Sequence, residues 1–148
     1  HPQIEKYTEV RQMAVMTERM QELFNKVTTA VLSTATGNGI PNAVPINAKK
    51  ILDEETILIS DQYFSKTLAN MKANPQVSVT YWQGLEGYQL KGTVRVETSG
   101  PLYEEAARWV DDYAARMKVS LKSKGAIILK VEEIYSVAPG PDAGKRLA

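Results

Sequence analysis

From Thr28 to Val137 the chain keeps returning to one pattern: a short β-branched and apolar run, a tight turn or a single helix, then another run. Thr28 to Thr36 is the first such run, Gly37-Asn38-Gly39 is a hairpin turn, and Asn42 to Leu52 returns as a second strand. Pro45 inside it argues for an edge, a bulge or a strand start. Asp53-Glu54-Glu55 turns the chain into Thr56 to Ser60, and Val77 to Trp82, Tyr88 to Glu97 and Ala126 to Val137 complete a set of six. Tyr88 to Glu97 alternates cleanly, with Tyr88, Leu90, Val94 and Val96 on one side. Six strands joined mostly by short turns, with helices inserted at few places, suit an antiparallel closed sheet rather than a parallel βαβ fold.

Three helices interrupt the strands. Met16, Met20, Leu23, Phe24 and Val27 recur at helical spacing behind Thr17, which predicts an amphipathic helix over 17–26 with Thr17 as its N-cap. Ser65 caps a second helix carrying Leu68 and Met71, which Asn74-Pro75 stops. Pro101 opens a third, to about Met117, with Ala106, Ala107, Val110, Tyr113, Ala114 and Met117 lining one face.

Charge and composition then narrow the chemistry. Eighteen Lys plus Arg against 17 Asp plus Glu, scattered along the chain, provide no field of one sign, so neither nucleic acid nor a membrane surface is an expected partner. The chain has no Cys, and its one His is residue 1, so thiolate and Ser-His-Asp sites and histidine-ligated haem or metal lose their central residue. No metal site is expected, and any chemistry must come from other side chains or a bound cofactor. No apolar run approaches the ~18 residues of a membrane span, and no basic segment precedes an apolar stretch, so the expected location is the cytoplasm. The opening HPQIEK is one residue from a streptavidin-binding affinity tag. Residues 1–15 therefore read as tag or disordered tail, 16–138 as one domain and 139–148 as a C-terminal tail.

The most informative stretch is Ser60 to Pro75. A strand ends, a polar loop follows, and a helix begins with Ser65, Lys66 and Thr67. A helix start presents unpaired N–H groups and the positive end of the dipole, Lys66 adds a charge, and two hydroxyls add donors suited to phosphate oxygens. Spacing alone favours the plainer reading, an ordinary capped helix with a solvated lysine. Lys49 and Lys50 form a second cationic candidate of low weight. Tyr81 and Trp82 could stack a flat ring, although core or interface packing is the commoner fate of such aromatics. Asp111-Asp112 and Glu132-Glu133 read as solvated surface, since adjacent side chains diverge. Lys118, Lys122 and Lys124 are explained by a helix C-terminus.

The order of these elements, with Ile51-Leu52-Asp53, Thr56 to Ser60, Ser65-Lys66-Thr67, Asn74-Pro75 and the strand from Gly87 to Ser99-Gly100-Pro101, resembles the FMN-binding split barrels related to pyridoxamine 5′-phosphate oxidase. The similarity runs from about Met16 to Val137. It implies a mainly β fold with flanking helices, a six-stranded antiparallel split β-barrel, and a homodimer with flavin at its interface. By resemblance, Lys66 and Thr67 hold the FMN phosphate with Ser65 at the helix start and Lys50 nearby. Ser60 and Asp61 lie beside the ribityl chain or flavin edge, Pro45, Ile46 and Asn47 run along the isoalloxazine, and Trp82 and Gln83 reach the flavin of the partner chain. The oxidase proper has an arginine where Pro45 aligns and a C-terminal substrate segment, and this chain shows neither. The implied function is thus an FMN-dependent oxidoreductase or small electron carrier with no side chain singled out as acid or base. Two alternatives keep the fold: a deazaflavin (F420) reductase, and a non-enzymatic flavin-storage or sensing barrel.

Overall fold

The structure, a computed structural model, describes residues 14–148. Its elements are α1 (Glu18–Lys26), β1 (Ala30–Ala35), β2 (Pro41–Ile46), β3 (Lys49–Asp53), β4 (Thr56–Asp61), α2 (Lys66–Ala73), β5 (Gln76–Gln83), β6 (Glu86–Glu97), α3 (Pro101–Met117) and β7 (Gly125–Ser136). The seven strands form one antiparallel sheet in the order β2-β1-β5-β6-β7-β4-β3.

The count of seven corrects the six expected from the sequence. The run from Asn42 to Leu52 bends at Asn47-Ala48, and its halves go to opposite ends of the sheet. β2 pairs with β1 (Ala30↔Ile46 through Ala35↔Pro41), whereas β3 pairs with β4 (Lys49↔Ile59, Ile51↔Ile57). The corner is tight: Lys49 N–H donates to the Asn47 carbonyl at 3.0 Å and Ser60 N–H to that of Ala48 at 2.9 Å. No ladder joins β2 to β3 among the described residues, so the sheet is not the closed one expected; the covalent corner joins its two edges. Pro41 and Pro45 lie four residues apart on the edge strand β2, in the same phase of the pleat, where a missing N–H costs no ladder bond.

The core on the inner face of the sheet is filled from α1 and from β1, β4, β5, β6 and β7, with Leu23, Phe24, Leu32, Ile57, Ile59, Tyr81, Leu90 and Leu129 fully buried. Phe24 meets Tyr81 edge to face at 5.2 Å, and the Tyr81 hydroxyl donates to the Met20 carbonyl at 2.9 Å. Thr17 caps α1 as expected, its hydroxyl accepting from Met20 N–H at 3.2 Å, a contact of about 1 kcal/mol. On the outer face, α3 lays Ala106 against Leu58, Ala126 and Ile128, so β4 and the first half of β7 are buried on both sides. Only Ala106, Val110 and Ala114 of the expected α3 stripe are buried. Tyr113 and Met117 are exposed, because the small side chains at i, i+4 and i+8 make the close approach.

Packing and hydrogen bonds continue past both ends of 16–138. Ala14 is buried and its N–H donates to the Val131 carbonyl at 3.1 Å. The segment 139–148 folds back along the edge of β7 that β4 leaves free: Leu147 N–H reaches the Ile134 carbonyl at 2.7 Å and Ser136 N–H the Lys145 carbonyl at 2.9 Å. The remainder of the expected tag, 1–13, lies outside the described residues. No helix among the described residues is long and apolar enough to cross a membrane.

Candidate functional site

A cavity of about 390 Å³ opens beside the Asn47-Ala48 corner. One wall is β2 from Asn42 to Ile46; the other is Ser60, the loop Gln62 to Phe64, and Ser65, Lys66 and Thr67 at the start of α2. The loop is shaped by Asp61, which is almost fully buried and accepts from Phe64 N–H at 2.9 Å. The chain thereby turns so that α2 points its N-terminus at the cavity.

That N-terminus is open. Ser65 occupies the N-cap position, yet its hydroxyl makes no capping bond, contrary to the role expected of it, because its backbone (φ −127°, ψ −82°) lies outside the extended region in which N-caps sit. No acidic residue stands in the first turn. The exposed Lys66 ammonium, the free Ser65 hydroxyl and the orphan N–H groups therefore face one place with a net positive potential, a donor set matched to a phosphate. Thr67 is buried and accepts from the Asn42 amide at 3.0 Å, which leaves its own proton to donate. The Asn42 and Asn70 amides both donate to Thr34, at 3.2 and 3.0 Å, tying α2 to β1 and β2.

The structure thus brings together Pro45, Ile46, Asn47, Ser60, Ser65, Lys66 and Thr67. Asp61 lies behind the wall as a loop anchor. Lys50 is turned away: strand alternation sends Lys49 and Lys50 to opposite faces, and Lys50 sits 3.9 Å from Glu105 on α3, where it faces an otherwise unpartnered buried oxygen. Trp82 and Gln83 close β5, outside this cavity; Trp82 is exposed beside Leu85 and Pro139, while its neighbour Tyr81 fills the core. Among the described residues no cluster of His, Cys, Asp or Glu could hold a metal ion.

Four residues contribute in ways invisible in the sequence. Asn42 and Gln62 line the cavity by virtue of contacts that only the fold creates. Lys124, expected to serve the C-terminus of α3, instead clamps the loop: its N–H donates to the Asp61 carbonyl at 2.6 Å, its ammonium donates to the Phe64 carbonyl at 3.0 Å, and that ammonium lies 3.8 Å from the Asp61 carboxylate. Ser123 adds a hydroxyl contact to Ser60 at 2.7 Å. Lys49 takes the opposite direction from Lys50, donating to the Phe24 and Val27 carbonyls at 2.5 and 2.8 Å, with its ammonium 4.2 Å from the Phe24 ring centre. Burial lowers its pKa to about 8.

Residues 16–138 match the family model described as pyridoxamine 5′-phosphate oxidase. An uncharacterized protein of Methanocaldococcus jannaschii is 39% identical over 134 residues, spanning 88% of this chain and 86% of its own. The crystal structure of HupZ from Group A Streptococcus superposes with a TM-score of 0.73 at 27% identity, over 87% of this chain and 99% of that one. An FMN-binding protein from Syntrophomonas wolfei subsp. wolfei shares the fold at a TM-score of 0.72 and 16% identity, over 94% and 95% of the two chains. The same fold, at 14% identity, occurs in an F420 reductase (TM-score 0.59) and in HutZ, the heme storage protein of Vibrio cholerae (TM-score 0.62).

Proposed function

The chain belongs to the pyridoxamine 5′-phosphate oxidase family, and on that premise we propose that it is an FMN-binding flavoprotein, an oxidoreductase or small electron carrier of the cytoplasm. The observation that carries the reading is the open N-terminus of α2, where Lys66 and the unused Ser65 hydroxyl face a walled cavity. That the Syntrophomonas protein of this fold binds FMN supports the choice of ligand.

In this reading Lys66, Ser65 and Thr67 hold the phosphate, which meets a helix dipole and one full charge. Ser60 and the β2 residues Pro45, Ile46 and Asn47 flank the ribityl chain and ring, and Tyr63 and Phe64 limit water access from the loop side. No phosphate contact is assigned to Lys50. Bound FMN supplies hydride and single-electron chemistry, which the side chains of this chain do not; the protein binds it, orients it and tunes its potential. A homodimer would bring Trp82 and Gln83 of one protomer to the flavin of the other.

The absorption spectrum of freshly purified protein, followed by FMN titration, tests the reading. The expected result is a yellow protein, or colourless protein that quenches FMN fluorescence at a stoichiometry of one per chain. Colourless protein that leaves added FMN fully fluorescent overturns it; if the same protein binds F420, the deazaflavin reading takes its place.

A further inference from the structure

On the other side of the Asn47-Ala48 corner lies a second cavity, of about 330 Å³. It shares Asn47, Ala48 and Gln62 with the first, but its remaining walls are the C-terminal end of α1 and the Trp109 and Tyr113 face of α3. Trp109 and Tyr113 are one turn apart, so both rings stand on the same side of the helix. The half-buried Trp109 and the exposed Tyr113, beside the amides of Asn25, Asn47 and Gln62, make a flat, hydrogen-bonding lining. The side-chain amide oxygen of Asn47 (Oδ1) accepts from the Thr29 hydroxyl at 2.7 Å, so the amide NH₂ is the group left to donate.

The charges decide what such a lining takes. A helix C-terminus carries the negative end of the dipole and repels an anion. Lys49 is the one charged side chain among the described lining residues, and its ammonium is held on the Phe24 and Val27 carbonyls of that same helix end. Two of its three N–H groups are thus taken by those carbonyls, so an anion would find one donor left and would compete with the helix end for the charge. We propose that this cavity binds an uncharged planar ring, of the quinone or heteroaromatic amide class, stacked against Trp109 and Tyr113. The proposal stands on the cavity itself and does not require flavin to be bound next door.

The chain has two tryptophans, so Trp82→Phe leaves Trp109 as the sole reporter, and the absence of Cys removes thiol addition as a competing reaction of quinones. Titrating this variant with 1,4-naphthoquinone, with and without added FMN, should give saturable quenching of Trp109 fluorescence. The 2-sulfonate of the same ring should bind at least tenfold more weakly. Tyr113→Ala, at an exposed position, should shift the naphthoquinone curve to at least fivefold higher concentration, and Lys66→Ala should leave it unchanged. Strictly linear quenching that Tyr113→Ala does not alter overturns the proposal. So does a sulfonate that binds as tightly as the neutral ring and is lost on Lys49→Met, which would make the cavity an anion site. Saturation by naphthoquinone in protein that ignores FMN would sink the flavin reading and leave this one standing.

Discussion

Two cavities sit back to back on one bend of the chain, and each has a lysine and a helix end, yet the two are opposite in character. At the first, α2 presents its N-terminus and Lys66 stands free at the opening. At the second, α1 presents its C-terminus and Lys49 is bound to that helix's own carbonyls. Counting lysines would rate the sites equal. What separates them is the direction of the helix dipole and whether the cation already has partners.

The severest way to break the comparison is to remove one helix end. Phe24→Ala deletes the ring that seats α1 on Tyr81 and should cost about 3–5 kcal/mol, seen as a lowered denaturation midpoint. Naphthoquinone binding should weaken too, while FMN binding to the protein that remains folded should change far less. Lys66→Ala acts on the other side. Loss of a charge-assisted phosphate contact of about 1.5–3 kcal/mol should weaken FMN about 10- to 150-fold by fluorescence titration, with no change in melting temperature; unchanged affinity would remove the phosphate assignment.

Lys124→Met tests whether the first wall depends on its clamp. The ammonium is half exposed and 3.8 Å from the buried Asp61 carboxylate, so solvent screening holds the expected loss to about 1 kcal/mol. FMN affinity should fall several-fold, and Lys124→Arg should restore part of it. The smallest effect concerns pH. Burial depresses the Lys49 pKa from 10.5 to about 8, so between those values the unfolded chain holds more protons on this group than the folded one. Stability therefore rises with pH across that window and the penalty is full below it. The neutral amine keeps two N–H donors for the same two carbonyls. The difference in melting temperature between wild type and Lys49→Met should move in favour of wild type from pH 8 to pH 10; a flat difference would contradict the assigned burial.

Much of the fold was legible because the signals are local. Thr17, Gly37-Asn38-Gly39, Asn74-Pro75 and Pro101 each act within a few residues, and each marks the boundary expected of it. The split between β2 and β3 was not, since Asn42 to Leu52 reads throughout as strand and the bend is imposed by partners far off in sequence. In the site, Ser65-Lys66-Thr67 could be found because a loop leading into a helix N-terminus has a sequence signature. Lys124 could not, because nothing near it in the chain announces Asp61. Lys49 and Lys50 show the finer limit: adjacent and chemically identical, they part company by strand parity alone, one toward the carbonyls of α1 and the other toward Glu105.

The bend at Asn47-Ala48 also bears on the order of assembly. β2 and β3 are neighbours in sequence, but each is placed by a strand whose own neighbours arrive from distant parts of the chain, β1 by β5 and β4 by β7. Such non-local ladders form slowly, because chain entropy is lost before the contacts repay it. Both must be complete before the corner has a fixed shape. The two cavities are consequently among the last features to form, and they form together, so ligand capture in a refolding experiment would time the end of folding and miss its earlier stages.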